Sequence, residues 1–111
     1  MNKRRHFRYS KNMQDSGVSE AWCHIIHGIL TNPQRTELQN RTIKSLCRRV
    51  AGADAEGLYR FLTDLYIDHN YIFEEYLIRP NNLYRYRAKF YREFPKRLTS
   101  RKNLLYQEAG M

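Results

Sequence analysis

Cysteine is scarce in this chain: Cys23 and Cys47 are the only two in 111 residues. A pair cannot build the disulfide framework that holds small secreted domains together, so both read as reduced, buried, small hydrophobic side chains. Long apolar runs are missing as well. Nothing approaches the roughly 18 apolar residues that a membrane-crossing helix needs, and the basic opening MNKRRHFRYSKNMQ leads into no apolar stretch of the signal-peptide kind. The expectation is a soluble, unsecreted protein without membrane contact, cytoplasmic or, in a eukaryote, nuclear. A mitochondrial transit peptide is the competing reading of the opening, which is rich in Arg and has no acid before Asp15. It lacks the apolar residues that give such peptides a face.

The signatures of catalysis are absent too. There is no Walker loop, GxGxxG, nucleophile elbow or HExxH. The histidines are His6, His24, His27 and His69. Cys23 and His27 share a helical face, and Cys47 with His69 would complete a four-ligand zinc set, but their spacing matches no zinc motif. Asp64 and Asp68 form a carboxylate pair of the kind that is far more often solvated or salt-bridged than catalytic. The reading is therefore a non-enzyme with no metal and no cofactor.

What the chain has in excess is positive charge: 20 Lys and Arg against 11 Asp and Glu, a formal net charge of +9. The cations are segregated along it. Residues 1 to 12 hold five and no acid, residues 35 to 50 hold five against Glu37, and residues 79 to 111 hold nine against Glu93 and Glu108. Residues 51 to 78 reverse the sign, with Arg60 against six acids. Segregation of this kind sustains a positive potential over part of a surface and attracts phosphate polyanions or an acidic protein face.

At this length the chain reads as one domain, with residues 1–15 a flexible basic arm and residues 16–111 a single helical domain. Val18, Trp22, Ile25, Ile26, Ile29 and Leu30 recur with helical spacing behind Ser19, which predicts a capped amphipathic helix over 19–30. For the next helix, Asn32 and Pro33 supply a start, or Thr36 and Gln39 form a capping box if it begins later; it runs to about Val50 and stops at Gly52. Its expected inward face is Leu38, Thr42, Leu46, Cys47 and Val50, with Arg41, Lys44 and Arg48 together on the far side. Asp54 is expected to cap a third helix with an apolar face of Leu58, Phe61, Leu62, Leu65 and Tyr66. Arg60, Asp64 and Asp68 recur opposite. Two helices joined by a short GAD turn suggest helix-turn-helix, but aspartates on the second would repel phosphates, so the pair reads as a helical hairpin of the core.

The segment NNLYRYRAKFYREFPKRL, residues 81 to 98, admits two readings. As a strand it alternates tyrosine and arginine, which would make a wing-like hairpin at about 71–91 and an α+β fold. The alternation fails at Tyr91-Arg92. As a helix, Leu83, Tyr86, Phe90 and Phe94 form a stripe flanked by Tyr84 and Tyr91, with Arg85, Lys89 and Arg92 opposite and Arg87 alone badly placed, so that it has to snorkel. Pro95 would end this helix, and Thr99 would cap a short last one containing Leu104 and Leu105. The helical reading is preferred, giving an all-α bundle of four to six helices.

Residues 82 to 95, NLYRYRAKFYREFP, resemble the start of LYR-motif proteins, small basic helical mitochondrial adaptors, with Leu83, Tyr84 and Arg85 as the tripeptide and Phe94-Pro95 downstream. In that family the motif opens a three-helix domain, whereas only a short tail follows it here, and Leu58-Tyr59-Arg60 repeats the tripeptide without that context. The family is therefore not assigned.

The function expected from these residues is non-enzymatic binding of nucleic acid, RNA or DNA, mainly through backbone phosphates. The contacts would come from Arg4, Arg5 and Arg8 of the arm, from Arg41, Lys44 and Arg48, and from Arg85, Lys89 and Arg92. Tyr84 and Tyr91 would stack on unpaired bases, favouring RNA or single strands. The alternative is a small accessory protein, an adaptor or inhibitor that docks its cationic face on an acidic region of a larger protein. An exposed Tyr/Phe edge would equally serve a homodimer.

Overall fold

The computed structural model describes residues 9–98, and Arg4, Arg5, Arg8, Thr99 and the expected last helix lie outside them. The fold is all-α, and no strand occurs among the described residues. The order is α1 (Lys11–Asp15), α2 (Glu20–Thr31), α3 (Glu37–Ala51), a 3-10 turn (Gly52–Asp54), α4 (Ala55–Thr63), α5 (His69–Glu75) and α6 (Pro80–Leu98). Residues 71–91 thus form a short helix, a turn and most of a long helix, not a hairpin. None of these helices is long and apolar enough to cross a membrane.

Local signals account for the starts of most elements. The Ser19 hydroxyl accepts from the Trp22 amide at 3.1 Å and opens α2. Before α3 the later start prevails: Thr36 Oγ1 accepts from the Gln39 amide at 3.0 Å, and the Gln39 side chain accepts from the Thr36 amide at 2.9 Å, a complete capping box. Gly52 ends α3 at a φ of 55°, a left-handed backbone that glycine adopts at low cost. Asp68, expected opposite the apolar face of α4, instead caps α5 through the Asn70 amide at 2.8 Å.

Residues 9–15 depart from the expected flexible arm. Ser10 caps α1, Met13 is fully buried, and the Tyr9 hydroxyl donates to the Val18 carbonyl at 2.6 Å. Buried Met13 and the hydrogen bond from Arg87 of α6 to Ser10 at 3.3 Å dock this short helix on α6.

The core is built from Cys23, Ile26 and Leu30 of α2, Ile43, Leu46 and Cys47 of α3, Leu58, Phe61 and Leu62 of α4, and Leu83, Phe90, Tyr91, Phe94 and Leu98 of α6. Ile25, counted in the stripe of α2, is exposed. On α3 the buried residues are Gln39, Ile43, Leu46, Cys47 and Ala51, while Leu38, Thr42 and Val50 are half-buried. The face is rotated from the expected one because Gln39 folds inward to complete its capping box and α4 covers the side that carries Asn40. There the Tyr59 hydroxyl bonds Asn40. Arg35 ties the same corner: Nη1 donates to the Leu30 and Asn32 carbonyls at 2.8 and 3.0 Å, and Nη2 to the Tyr59 hydroxyl at 3.2 Å. It closes the carboxyl end of α2 onto α3 and α4.

Two further expectations are corrected. The side chain of Asp54 makes no capping bond to α4; its carboxylate accepts instead from the Tyr86 hydroxyl of α6 at 2.8 Å. And α4 stops at Thr63, so Leu65 is half-buried and Tyr66 exposed. Gly57 of α4 is the point of closest approach to the turn after α5: a Cβ there would lie 2.5 Å from Ile78 Cδ1.

Candidate nucleic-acid interface

Helix α6 carries the largest share of the site. Its register puts Leu83, Phe90, Phe94 and Leu98 into the core. It also continues through Pro95, which was expected to end it. An interior proline costs a helix about 3 kcal/mol. Burial of Phe94 and Leu98 on either side contributes about 1.5–3 kcal/mol each, so packing wins over the lost amide. The extra turn brings Lys96 into line with Arg85, Lys89 and Arg92. These four recur at intervals of four, three and four residues, within an arc of about 60° on the outer side and a length of about 16 Å. All four are exposed.

Their surroundings leave most of this charge unpaired. Among the described residues no carboxylate lies within ion-pair distance of Arg85, Lys89 or Arg92, and Lys96 meets Glu93 at 3.2 Å. That pairing, with Arg92 and Arg49 nearby, holds the Glu93 carboxyl below its usual range. Glu93 is the one acid that α6 itself carries, and Lys96, Arg92 and Arg49 act on it. On the opposite flank Asp15 of α1 joins Asn12, Val50, Arg85, Lys89 and Arg92 around a shallow open groove of about 530 Å³.

The stripe on α3 is exposed as expected, but it leans away from α6. Lys44 Nζ stands 5.3 Å from the ring centroid of Tyr59 on α4, and Arg41 and Arg48 share its side of the helix. The α3 cation that reaches toward α6 is Arg49, close enough to act on Glu93. Sequence reasoning passed over Arg49 because it falls outside the i, i+3, i+7 series of its neighbours.

The tyrosines do not form the expected stacking platform. Tyr91 is only 2% exposed, because α6 turns its ring into the core beside Phe90 at 6.4 Å between centroids. Tyr84 is half-buried, edge-on to Phe61 at 6.1 Å and Phe73 at 6.3 Å, with its hydroxyl 3.2 Å from His69 Nδ1. Neither ring offers a free face to a base. The exposed tyrosines among the described residues, Tyr66 and Tyr71, lie near Arg60, whose guanidinium meets the hydroxyls of Tyr76 and Tyr71 and the Asp64 carboxylate. That neighbourhood belongs to the acidic segment 51–78 and repels phosphate.

Arg87, the residue that fits the helical register worst, is half-buried and turns inward, not out along the surface as a snorkelling side chain would. It points inward against the rings of Tyr84 and Phe61, with Cζ 5.5 and 5.8 Å from their centroids, and donates to Ser10 Oγ at 3.3 Å. Burial lowers its pKa, partly offset by Tyr91, Tyr84 and Cys23, yet a guanidinium stays charged in this range. Two ring faces and a hydroxyl thus take the place of a carboxylate.

Neither cysteine is poised to react. Burial pushes the Cys47 thiol up to about 12, against a weaker opposing influence of Arg48, and raises Cys23 as well. Among the described residues no three His, Cys, Asp or Glu side chains converge as a metal site. Comparison of the chain with protein-family models, curated proteins and solved structures finds no match to any of them.

Proposed function

We propose that this protein binds nucleic acid without catalysis, gripping backbone phosphates with the exposed cations of α6 and α3 and with Arg4, Arg5 and Arg8 of the amino-terminal segment. The observation that carries the reading is the row Arg85, Lys89, Arg92 and Lys96, in which three of four cations have no carboxylate within ion-pair distance among the described residues. Like charges at this helical spacing weaken a helix by about 0.2–0.5 kcal/mol per pair. Stability alone gives no reason for such a row, whereas a polyanion removes the repulsion and releases its own counterions. With Tyr84 and Tyr91 turned into the core, affinity rests on phosphate contacts, not on stacking.

A second reading remains, a small adaptor or inhibitor docking on a larger protein. It is supported by Leu77, which is 86% exposed at a φ of 54°, a backbone that disfavours leucine, and by exposed Tyr66 and Tyr71. Fluorescence anisotropy with RNA, single-stranded DNA and duplex DNA over a salt series separates the two. Submicromolar binding, weakening with a slope of several ions, is expected from the first. Absence of binding to all three at moderate salt, together with a stoichiometric companion protein on purification, would establish the second.

A further inference from the structure

We infer that α6 is a groove-reading helix for duplex DNA, laying its outer row in the major groove of the B form. This deepens the nucleic-acid reading above and rests on it.

Three features of the outer side of α6 choose among nucleic acids. The first is the lack of any stacking ring there: Tyr84 and Tyr91 face inward, and the Tyr86 hydroxyl is held by Asp54. Proteins that favour unpaired strands use aromatic faces for much of their affinity, so this surface suits paired bases. The second is shape. A regular helix about 10–12 Å across fits the B-form major groove, which is about 12 Å wide, and is excluded from the deep, narrow major groove of A-form RNA. The 19 residues of Pro80–Leu98 supply such a rod, and the row of about 16 Å spans about five base pairs.

The third is chemistry. The row presents Arg85, Lys89 and Arg92, with half-buried Asn82 one turn before them, and an arginine fork matches guanine O6 and N7 as an asparagine amide matches adenine N6 and N7. Arg85 is already held by a hydrogen bond from its Nη2 to Asn82 Oδ1, which reduces the rotamer freedom it would lose on binding. Two acids stand near the row. Asp15 rims the far groove and Glu93 is neutralised by Lys96, so neither faces the groove floor unopposed. Arg49, on the α3 side, is placed to meet the phosphates of one flanking strand.

The test is fluorescence anisotropy with the whole chain and three probes of one sequence, about 20 base pairs or bases long: duplex DNA, duplex RNA and single-stranded DNA. Duplex DNA is expected to bind about tenfold or more tightly than the other two. A duplex whose cytosines carry glucosylated 5-hydroxymethyl groups, which fill the major groove, should lose most of that advantage. The triple variant Arg85→Ala, Lys89→Ala, Arg92→Ala, confirmed as folded by circular dichroism, should flatten the salt slope by about 2.7. Equal binding of all three probes overturns the inference but leaves phosphate binding standing, whereas a variant with unchanged affinity and slope removes the α6 row as the contact and overturns both. No binding to any probe overturns both.

Discussion

Helix α6 places two arginines two residues apart in opposite worlds. Arg87 lies against the rings of Phe61 and Tyr84 and touches Ser10, while Arg85, half a turn away, stands in a row of exposed cations. The same side chain acts as a packing element on one side and as a charge for an external partner on the other. Environment, not residue type, assigns the role: inside, ring faces and a hydroxyl replace part of the hydration the guanidinium gave up, and outside, Arg85 bonds the Asn82 amide oxygen but meets no carboxylate within the described residues.

The comparison can be broken most forcefully from the inside. Phe90 is fully buried between α6 and the rest of the core, so Phe90→Ala should cost about 3–5 kcal/mol in urea unfolding. A loss below about 1 kcal/mol would mean that this side of α6 is not the one that packs. Next comes Arg35, whose guanidinium closes the carboxyl end of α2. Arg35→Ala should cost about 2 kcal/mol, leaving carbonyls and the Tyr59 hydroxyl without their donor.

Tyr86 sits on the edge between the two sides, and Tyr86→Phe is expected to cost about 1 kcal/mol at neutral pH through the lost bond to Asp54. That bond raises the phenol pKa from 10.0. A raised pKa means that the folded state keeps a proton the unfolded chain releases. The contribution is therefore complete below pH 10 and is lost as pH rises through 10 toward the higher folded value. The difference in unfolding midpoint between wild type and Tyr86→Phe should shrink between pH 8 and pH 10.5; a constant difference would show that the bond does not hold the proton.

Smaller again is Arg87→Met. A buried charge without a carboxylate partner is often replaceable by an apolar side chain of similar length at little cost, so its stability should change by less than about 1 kcal/mol and its DNA affinity not at all. The triple alanine variant of Arg85, Lys89 and Arg92 is the mirror case: unfolding should move by no more than about 0.5 kcal/mol while binding falls. If both variants shifted the same property, the two sides of α6 would not be functionally distinct.

Much of the architecture was legible beforehand. Ser19 before an apolar stripe, the Thr36-Gln39 capping box and Gly52 are local devices whose partners lie within a turn, and they stand where the spacing puts them. The helical reading of the segment up to Pro95 held because its apolar positions keep a 3.6-residue period past the point where strand alternation fails, while its end at Pro95 did not. Misreadings concern groups whose partners are distant in sequence. Asp54 gives up its cap for Tyr86, 32 residues away, and Arg87 finds Ser10, 77 residues away. Tyr91 looked like a boundary residue on a helical wheel but is covered by the surrounding elements. No periodicity carries such information.

By itself the sequence determined that the chain is helical, where α2, α3 and α4 begin, and that its cations are gathered in blocks, because caps, periods and charge order are properties of neighbours along the chain. Only the tertiary structure decided which of those cations and aromatics meet a partner outside. That depends on which helix face is covered, and the covering residues come from far along the chain: Phe61 and Phe73 take Tyr84 inward, and nothing comparable covers Arg85, Lys89 and Arg92.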